Sequence, residues 1–354
     1  MMNHFFKVAI RNIIRNPVYS FINILGLTIG FTSALLILIL IIHEINYDHF
    51  HEHAENIYRI GLDLKSESLS LNLPLAMTPL GPELKREYPD ITGYTRISKP
   101  RTTTLLSFEE KKFYEDGLLY VDSGFFKTFS FELVRGDPDK VLKLPYSMLL
   151  TEETAKKYFG NQDPVGQSIM LNNQYHFTIT GLVKDPPNNS HFSFTSLGSF
   201  ATLYEWQGSM GNWAGNINYY LYVRIQPGTT ADELFTMTDE LIQKNAGESL
   251  SMAGRQLTPI ITNITDIYLH PATMGELGKS SSAQYVRIFL AIALFILVIA
   301  SINYMNLSTA RSVNRLVKWE LKKYPVLINH CSDYSSLASQ SFYAWLYLCY
   351  PCCS

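Results

Sequence analysis

Two long apolar runs set the layout of the chain. Phe21–Ile42 carries no charged residue and consists mainly of Leu, Ile and Phe. A helix rises about 1.5 Å per residue, so this run reaches about 33 Å and can cross a hydrocarbon core of roughly 30 Å. The second run, Tyr285–Tyr304, has a single charged residue, Arg287, close to one end. The pattern predicts transmembrane helices at residues 18–42 and 285–304.

The first run does not fit a cleaved signal peptide. The apolar region of a signal peptide has about 7–15 residues and ends at a cleavage site of small residues. Here the run is longer and leads into the polar segment His43–Asp48. We therefore predict that the first helix stays in the mature protein.

Basic residues near the two runs predict the orientation. Three precede the first run, Lys7, Arg11 and Arg15, and a basic group from Arg311 to Lys323 follows the second run. Cytoplasmic flanks of membrane helices are enriched in Lys and Arg. Both chain ends should therefore face the cytoplasm, and residues 43–284 should lie outside.

Shorter patterns refine this topology. In residues 1–17, apolar positions and the three basic positions fall on different helical faces, which predicts an amphipathic helix lying on the inner leaflet. Gly26 and Gly30 form a G-x-x-x-G pair, which lets another helix approach closely. That helix could belong to the same chain or to a second copy.

The segment 43–284 shows short strand patterns that alternate with short helical ones. This mixture predicts an α+β class for a large outer domain, with room for two lobes. The clearest elements are a strand at Ile57–Leu64, a strand at Lys112–Val121 with Gly117 as a bulge, helices at Thr151–Phe159 and Thr230–Asn245, and a hairpin that turns at Asn172.

Composition excludes some functions. The formal net charge of −2 gives no electrostatic case for nucleic acid as a partner. The chain's cysteines, Cys331, Cys349, Cys352 and Cys353, all follow the second run, so the outer domain must fold without disulfides.

Three stretches come close to known chemical motifs. Gly275–Ser280 resembles a phosphate loop, but Thr273 stands where the motif needs its first glycine. His49, His51 and His53 alternate, so a strand could bring their imidazoles to one side as a metal site; a polar collar beyond the membrane is the alternative. Cys349 and Cys352 have C-x-x-C spacing but no second pair.

No complete catalytic motif accompanies these stretches. The chain lacks both the G-x-S-x-G pattern of a nucleophile elbow and the H-E-x-x-H pattern of a zinc protease. The sequence therefore predicts no catalytic, cofactor-binding or metal-binding residues, no cofactor, and a protein that is not an enzyme.

Seven stretches together resemble the permease subunits of MacB/FtsX-type ABC transporters, in the long form common in Bacteroidetes. They occur in the same order over about residues 3–318. The stretches are RNIIRNPVYSFINILGLTIG (11–30), YDHFHEHAENIYRI (47–60), FFKTFSFELVRGDP (125–138), LTEETAKKYFGNQDPVGQSI (150–169), ITGLVKDPPNNSHF (179–192), ITDIYLH (264–270) and INYMNLSTARSVNR (302–315).

The resemblance implies a function for the whole layout. It implies a multi-pass permease of the bacterial inner membrane, embedded in the lipid bilayer, with a MacB-like periplasmic domain at residues 43–284. A separate cytoplasmic ABC ATPase would move that domain by mechanotransmission, and we expect a dimer of permease chains. The substrate class stays open among peptides, lipids and antimicrobials. A membrane-anchored extracytoplasmic sensor or binding protein is the alternative.

The resemblance stops near residue 318. The family pattern continues with a glycine between basic residues, whereas this chain reads Lys318-Trp319-Glu320-Leu321-Lys322-Lys323. In the cytoplasmic segment 305–354 we therefore expect an aberrant tail from about residue 319, caused by a frameshift or a sequencing error.

Overall fold

The computed structural model describes residues 11, 14, 17–67, 69–208, 210–213, 217–272 and 275–323. The helices are α1 (Pro17–Ile45), α2 (Leu80–Glu87), α3 (Phe125–Thr128), α4 (Glu152–Phe159), α5 (Ala201–Gln207), α6 (Ala231–Met252) and α7 (Ala283–Lys323). The strands are β1 (Ile57–Ser66), β2 (Leu69–Leu73), β3 (Ala76–Met77), β4 (Ile91–Ser98), β5 (Thr104–Phe108), β6 (Lys111–Glu115), β7 (Leu118–Val121), β8 (Leu133–Arg135), β9 (Ser147–Thr151), β10 (Ser168–Leu171), β11 (Tyr175–Val183), β12 (Ser196–Ser199), β13 (Ile217–Ile225) and β14 (Gln256–Asn263). This mixture confirms the predicted α+β class.

Two predictions concern residues that lie wholly or largely outside the described ranges. The amphipathic helix at residues 1–17 lies largely outside the described residues. The tail beyond residue 323, with all four cysteines, lies outside them as well.

The two apolar runs form helices, as predicted. Within α1 and α7, the segments Ser20–Ile45 and Ala283–Met305 are long and apolar enough to cross a membrane, each with a mean hydropathy of 2.6. Many of their Leu, Ile and Phe side chains are exposed, as lipid-facing side chains would be. The predicted arrangement, two apolar helices flanking a large α+β domain, is confirmed.

The G-x-x-x-G pair explains how these helices pack. A Cβ atom built on Gly26 would lie 2.6 Å from Asn303 Nδ2, and one built on Gly30 would lie 2.8 Å from the Ala300 Cβ. Both distances are too short for a real side chain. The glycines therefore allow α1 to approach α7 of the same chain, so the pair packs within one chain.

Residues 40–288 form one unit, built on one sheet. Along the main path, the strands follow the order β14-β1-β13-β4-β7-β12-β9-β11-β10-β5-β6. Most neighbours are antiparallel, but β7–β12 and β9–β11 are parallel. The first strand, β1, pairs with β13 and β14, which come near the end of the unit. The two ends of the outer domain therefore meet in the sheet.

Two helix starts and one hairpin turn form as the local sequence predicts. The Thr151 side chain accepts a hydrogen bond from the Thr154 N–H and caps α4. Thr230 and Glu233 form a reciprocal capping box at the start of α6, which runs beyond its predicted end to Met252. Asn172 and Asn173 both have positive φ, 52° and 54°, as a tight hairpin turn between β10 and β11 requires.

The prediction of one strand at Lys112–Val121 is wrong. β6 pairs with β5, whereas β7 pairs with β4 and β12, so the chain changes neighbours between the two strands. Gly117 lies at this break, and a Cβ there would come within 2.7 Å of the Thr195 backbone nitrogen. The glycine allows a close backbone contact and is not a bulge.

Three groups of buried apolar side chains lie along the sheet. One of them includes residues just after α1 and residues from the segment before α7, such as Ala54 and Ile267. We call its phenylalanines the aromatic core: Phe125, Phe129, Phe131, Phe192 and Phe194. Their rings pack with centroids 5.1–6.4 Å apart, and half of the ring pairs are edge to face.

Candidate functional site

Side chains from separate stretches of the chain meet where α1 ends and the segment leading to α7 begins. We call them the junction cluster: Glu44, Tyr47, Asp48, His191, Tyr222 and Tyr268. Asp48, His191 and Tyr222 are fully buried or nearly so, and Tyr47 and Tyr268 are also buried.

Tyr268 links the end of α1 to the start of α7. Its ring stacks on Tyr47 with centroids 3.4 Å apart and planes within 3°. Its hydroxyl donates to the Glu44 carboxylate at 3.0 Å. Burial, followed by hydrogen bonds to Tyr47 and Glu44, raises the pKa of Tyr268, so the hydroxyl stays protonated as a donor. On the other side, the Tyr268 carbonyl accepts from the Ser281 N–H at 2.7 Å, two residues before α7.

Asp48 joins the turn after α1 to residues 189–191. Its backbone is left-handed, with φ 60°, and its N–H donates to the Asn189 carbonyl at 2.8 Å. Its carboxylate accepts from the His191 N–H at 3.1 Å and lies 2.8 Å from His191 Nδ1. His191 Nε2 is in turn 2.8 Å from the Tyr222 hydroxyl on β13.

Tyr222 completes this chain of contacts. Burial raises the pKa of Tyr222 strongly, so its hydroxyl keeps the proton with which it can donate to His191 Nε2. The side chains of Asp48 and His191 are 0% and 1% exposed. A substrate therefore has no access to them, and they act by positioning the chain after α1 against the sheet.

Glu276 holds the segment that leads to α7. Both oxygens of its carboxylate pair with the Arg59 guanidinium on β1, and the two side chains are 10% and 4% exposed. Nearby, the Tyr220 hydroxyl on β13 donates to the Gly275 carbonyl at 2.5 Å. The stretch that resembles a phosphate loop is thus packed against β1 and β13 through its own carboxylate.

The alternating histidines do not share a strand. Residues 46–53 form turns, and their imidazoles have different surroundings. His49 Nδ1 lies 3.0 Å from the Tyr47 carbonyl, and His53 pairs with Glu55 at the surface. In the described ranges, no three His, Cys, Asp or Glu side chains are grouped so that they could hold a metal ion. The arrangement of three imidazoles on a strand is therefore wrong.

His51 instead packs into the aromatic core. Its Nδ1 accepts a hydrogen bond from the Ser130 N–H at 3.1 Å, so the proton of the neutral ring is on Nε2. Nε2 is buried without a hydrogen-bond partner among the described residues, and the ring contacts Phe129 and Phe131. Burial lowers the pKa of His51 to about 4; nearby Asp48 opposes this shift and His191 adds to it.

Sequence reasoning identified neither the junction cluster nor the Arg59–Glu276 ion pair. Asp48 and His191 are 143 positions apart, and Arg59 and Glu276 are 217 apart, so no local pattern connects them. One indirect signal existed, because Asp48, His191 and Tyr268 each fall within a stretch that carries the family resemblance.

Comparisons with known proteins agree with the fold. Residues 20–238 match the family model of the MacB-like periplasmic core domain. A search of curated proteins gave no significant match. A domain of a protein named as a permease from Porphyromonas gingivalis is similar in structure, with a TM-score of 0.54 and 22% identity over 67% of this chain and 97% of that one.

Two further structures match at lower scores. The periplasmic region of MacB from Actinobacillus actinomycetemcomitans has a TM-score of 0.43 and 17% identity, over 60% of this chain and 91% of that one. The extracellular domain of the noncanonic ABC-type transporter YknZ from Gram-positive bacteria has a TM-score of 0.41 and 15% identity, over 57% of this chain and 100% of that one.

Proposed function

Because the chain belongs to the family that carries the MacB-like periplasmic core domain, we propose that it is the permease component of an ABC transporter in a bacterial inner membrane. A separate cytoplasmic ATPase supplies the energy. The membrane helices transmit its movement to the outer domain, which moves peptides, lipids or antimicrobials outside the membrane. The chain itself catalyses no reaction.

The observation that carries this proposal is the double attachment of the outer domain. Tyr268 contacts Glu44 and Tyr47 at the end of α1, and its backbone contacts Ser281 just before α7. Asp48 and Glu276 fasten the same two connections to the sheet through His191 and Arg59. A flexible linker would absorb a displacement of a helix end, whereas these buried contacts pass it to β1 and β13.

The remaining parts of the proposal concern topology and partners. The proposed domain limits are residues 18–42 and 285–304 for the membrane spans and 43–284 for the periplasmic domain. Basic residues on both cytoplasmic flanks support this orientation. We also propose that two permease chains work together and that the segment after α7's membrane span contacts the ATPase.

The test begins with the complex in its native membrane. The tagged chain is purified from host membranes together with its associated ATPase and is reconstituted in lipid nanodiscs. Amide hydrogen exchange is then measured with and without ATP. We expect ATP to change exchange both in α1 and in the outer domain, around residues 44–60 and 264–283.

A substitution at Tyr268 separates transmission from assembly. Tyr268→Ala should leave ATP hydrolysis and the exchange response of α1 in place but remove the response of the outer domain. Tyr114→Ala, at an exposed tyrosine of β6, is the matched control and should behave like the wild type. If no ATPase accompanies the chain, the permease proposal fails; if Tyr268→Ala responds like the control, the junction cluster is not the transmitting element.

A further inference from the structure

A polar pocket lies in the outer domain away from the junction cluster. It has a volume of about 330 Å³, at the lower end of the range for small-molecule sites. The loop between β4 and β5 and the start of β5 form one side, and the end of β6 and the start of β7 form the other. Its charged and hydroxyl-bearing lining residues are Lys99, Arg101, Thr102, Thr103, Thr104, Glu115 and Asp116.

The floor of this pocket is built from buried polar side chains. Thr104 and Glu115 are direct cross-strand partners, so their side chains share one face of the sheet. Thr104 is 4% exposed and Glu115 is 7% exposed, and both line the pocket. The sheet therefore holds these two polar side chains in place at the floor of the pocket.

Glu115 lines the pocket, and one of its two carboxylate oxygens is already occupied. Its side chain is 8% exposed, and Oε1 accepts from Lys157 Nζ at 2.7 Å and from the Tyr158 hydroxyl at 2.9 Å. Among the described residues, no group donates to Oε2. The contacts from α4 therefore fix the carboxylate and leave Oε2 as an oriented acceptor.

The rim carries charges of both signs. Arg101 and Asp116 are exposed, and in the described ranges neither forms an ion pair. Lys99 also lines the pocket, and its ammonium donates to the Leu277 carbonyl at 3.3 Å. Two carboxylates and two cations thus surround one small volume, and Arg101 and Asp116 leave their charges available to a ligand.

We propose that this pocket binds a free α-amino acid in its zwitterionic form. The ammonium group donates to Glu115 Oε2 and Asp116, and the carboxylate accepts from Arg101, Lys99 and the threonine hydroxyls. The balance of charge favours a ligand with both signs, because a simple anion would face two carboxylates and a simple cation would face Arg101 and Lys99. The inference does not depend on the transporter proposal, since it concerns a different part of the outer domain.

The test uses the full chain in lipid nanodiscs and isothermal titration calorimetry near pH 7. The standard amino acids are titrated first, and the best ligand is then compared with its N-acetyl and amide derivatives. A hydrogen bond to a charged group contributes enough to change affinity about tenfold or more, so each derivative should bind at least about tenfold more weakly.

Two rim variants identify the contacts without disturbing the fold. Arg101→Ala should weaken the amino acid about tenfold but leave the amide derivative unchanged, and Asp116→Asn should weaken the amino acid but leave the N-acetyl derivative unchanged. Arg255→Ala, at another exposed arginine, should have no effect. The proposal is overturned if no amino acid binds saturably, if both derivatives bind as well as the parent, or if only acetate or only ammonium binds.

Discussion

Buried His51 predicts how the stability of the outer domain depends on pH. Its pKa is about 4 in the folded protein and 6.5 in a model peptide, so the unfolded chain takes up the proton more readily. Stability is therefore fully present above about pH 6.5, falls as the pH drops, and levels off below about pH 4. The two pKa values give a loss of about 2 kcal/mol between about pH 7.5 and pH 5.

The physical cause is the position of the ring. Protonation would place a charge among Phe129 and Phe131. It would also put a hydrogen on Nδ1, which accepts from the Ser130 N–H, so two donors would face each other. His51→Gln keeps an acceptor for that N–H and cannot take up a proton in this range. The variant should be less stable than the wild type near pH 7.5, and the difference should shrink as the pH falls.

The assay is urea unfolding of residues 40–288, followed by tryptophan fluorescence at several pH values between about 7.5 and 5. Other groups titrate over the same range, so the informative quantity is the difference between wild type and variant at each pH. His176→Gln, at an exposed histidine, is the control and should leave the pH dependence unchanged. A wild-type minus His51→Gln difference that is constant with pH would refute the reasoning.

Two further predictions concern the ion pair and the topology. Glu276→Gln leaves the Arg59 charge buried without its partner, so the free energy of unfolding in urea should fall by about 3 kcal/mol. Arg59→Met combined with Glu276→Met should lower it by less than the single variant does. An equal or greater loss in the double variant would contradict this prediction. A reporter enzyme active only outside the cytoplasm should be active when fused near Gly211 and silent when fused at Arg315, and the reverse result at either site would reject the orientation.

Sequence patterns were sufficient for elements with strong local signals. The two long apolar helices follow from uninterrupted apolar runs, the start of α4 from Thr151, and the β10–β11 hairpin from its asparagine turn. Each of these depends on residues that are close in sequence, so the physical cause is visible in the sequence itself.

Elements that depend on distant partners were harder to predict. β9 and β12 are five and four residues long and buried throughout, so their strands show no alternation between polar and apolar positions. The division of Lys112–Val121 depends on which neighbours each half finds in the sheet. The roles of Glu276 and His191 depend on Arg59 and Asp48, far away in the chain, and no spacing rule reveals such pairs.

The pairing of β1 with β13 and β14 has a consequence for biogenesis. In the proposed topology, Ile57–Ser66 is made early and leaves the cytoplasm soon after the first apolar helix, but its sheet partners at 217–225 and 256–263 are synthesised near the end of the domain. Local pairing with β2 covers only part of one edge in the meantime. In that topology, the nascent domain keeps β1 with an open edge until translocation is almost complete, and during that interval it is most exposed to aggregation.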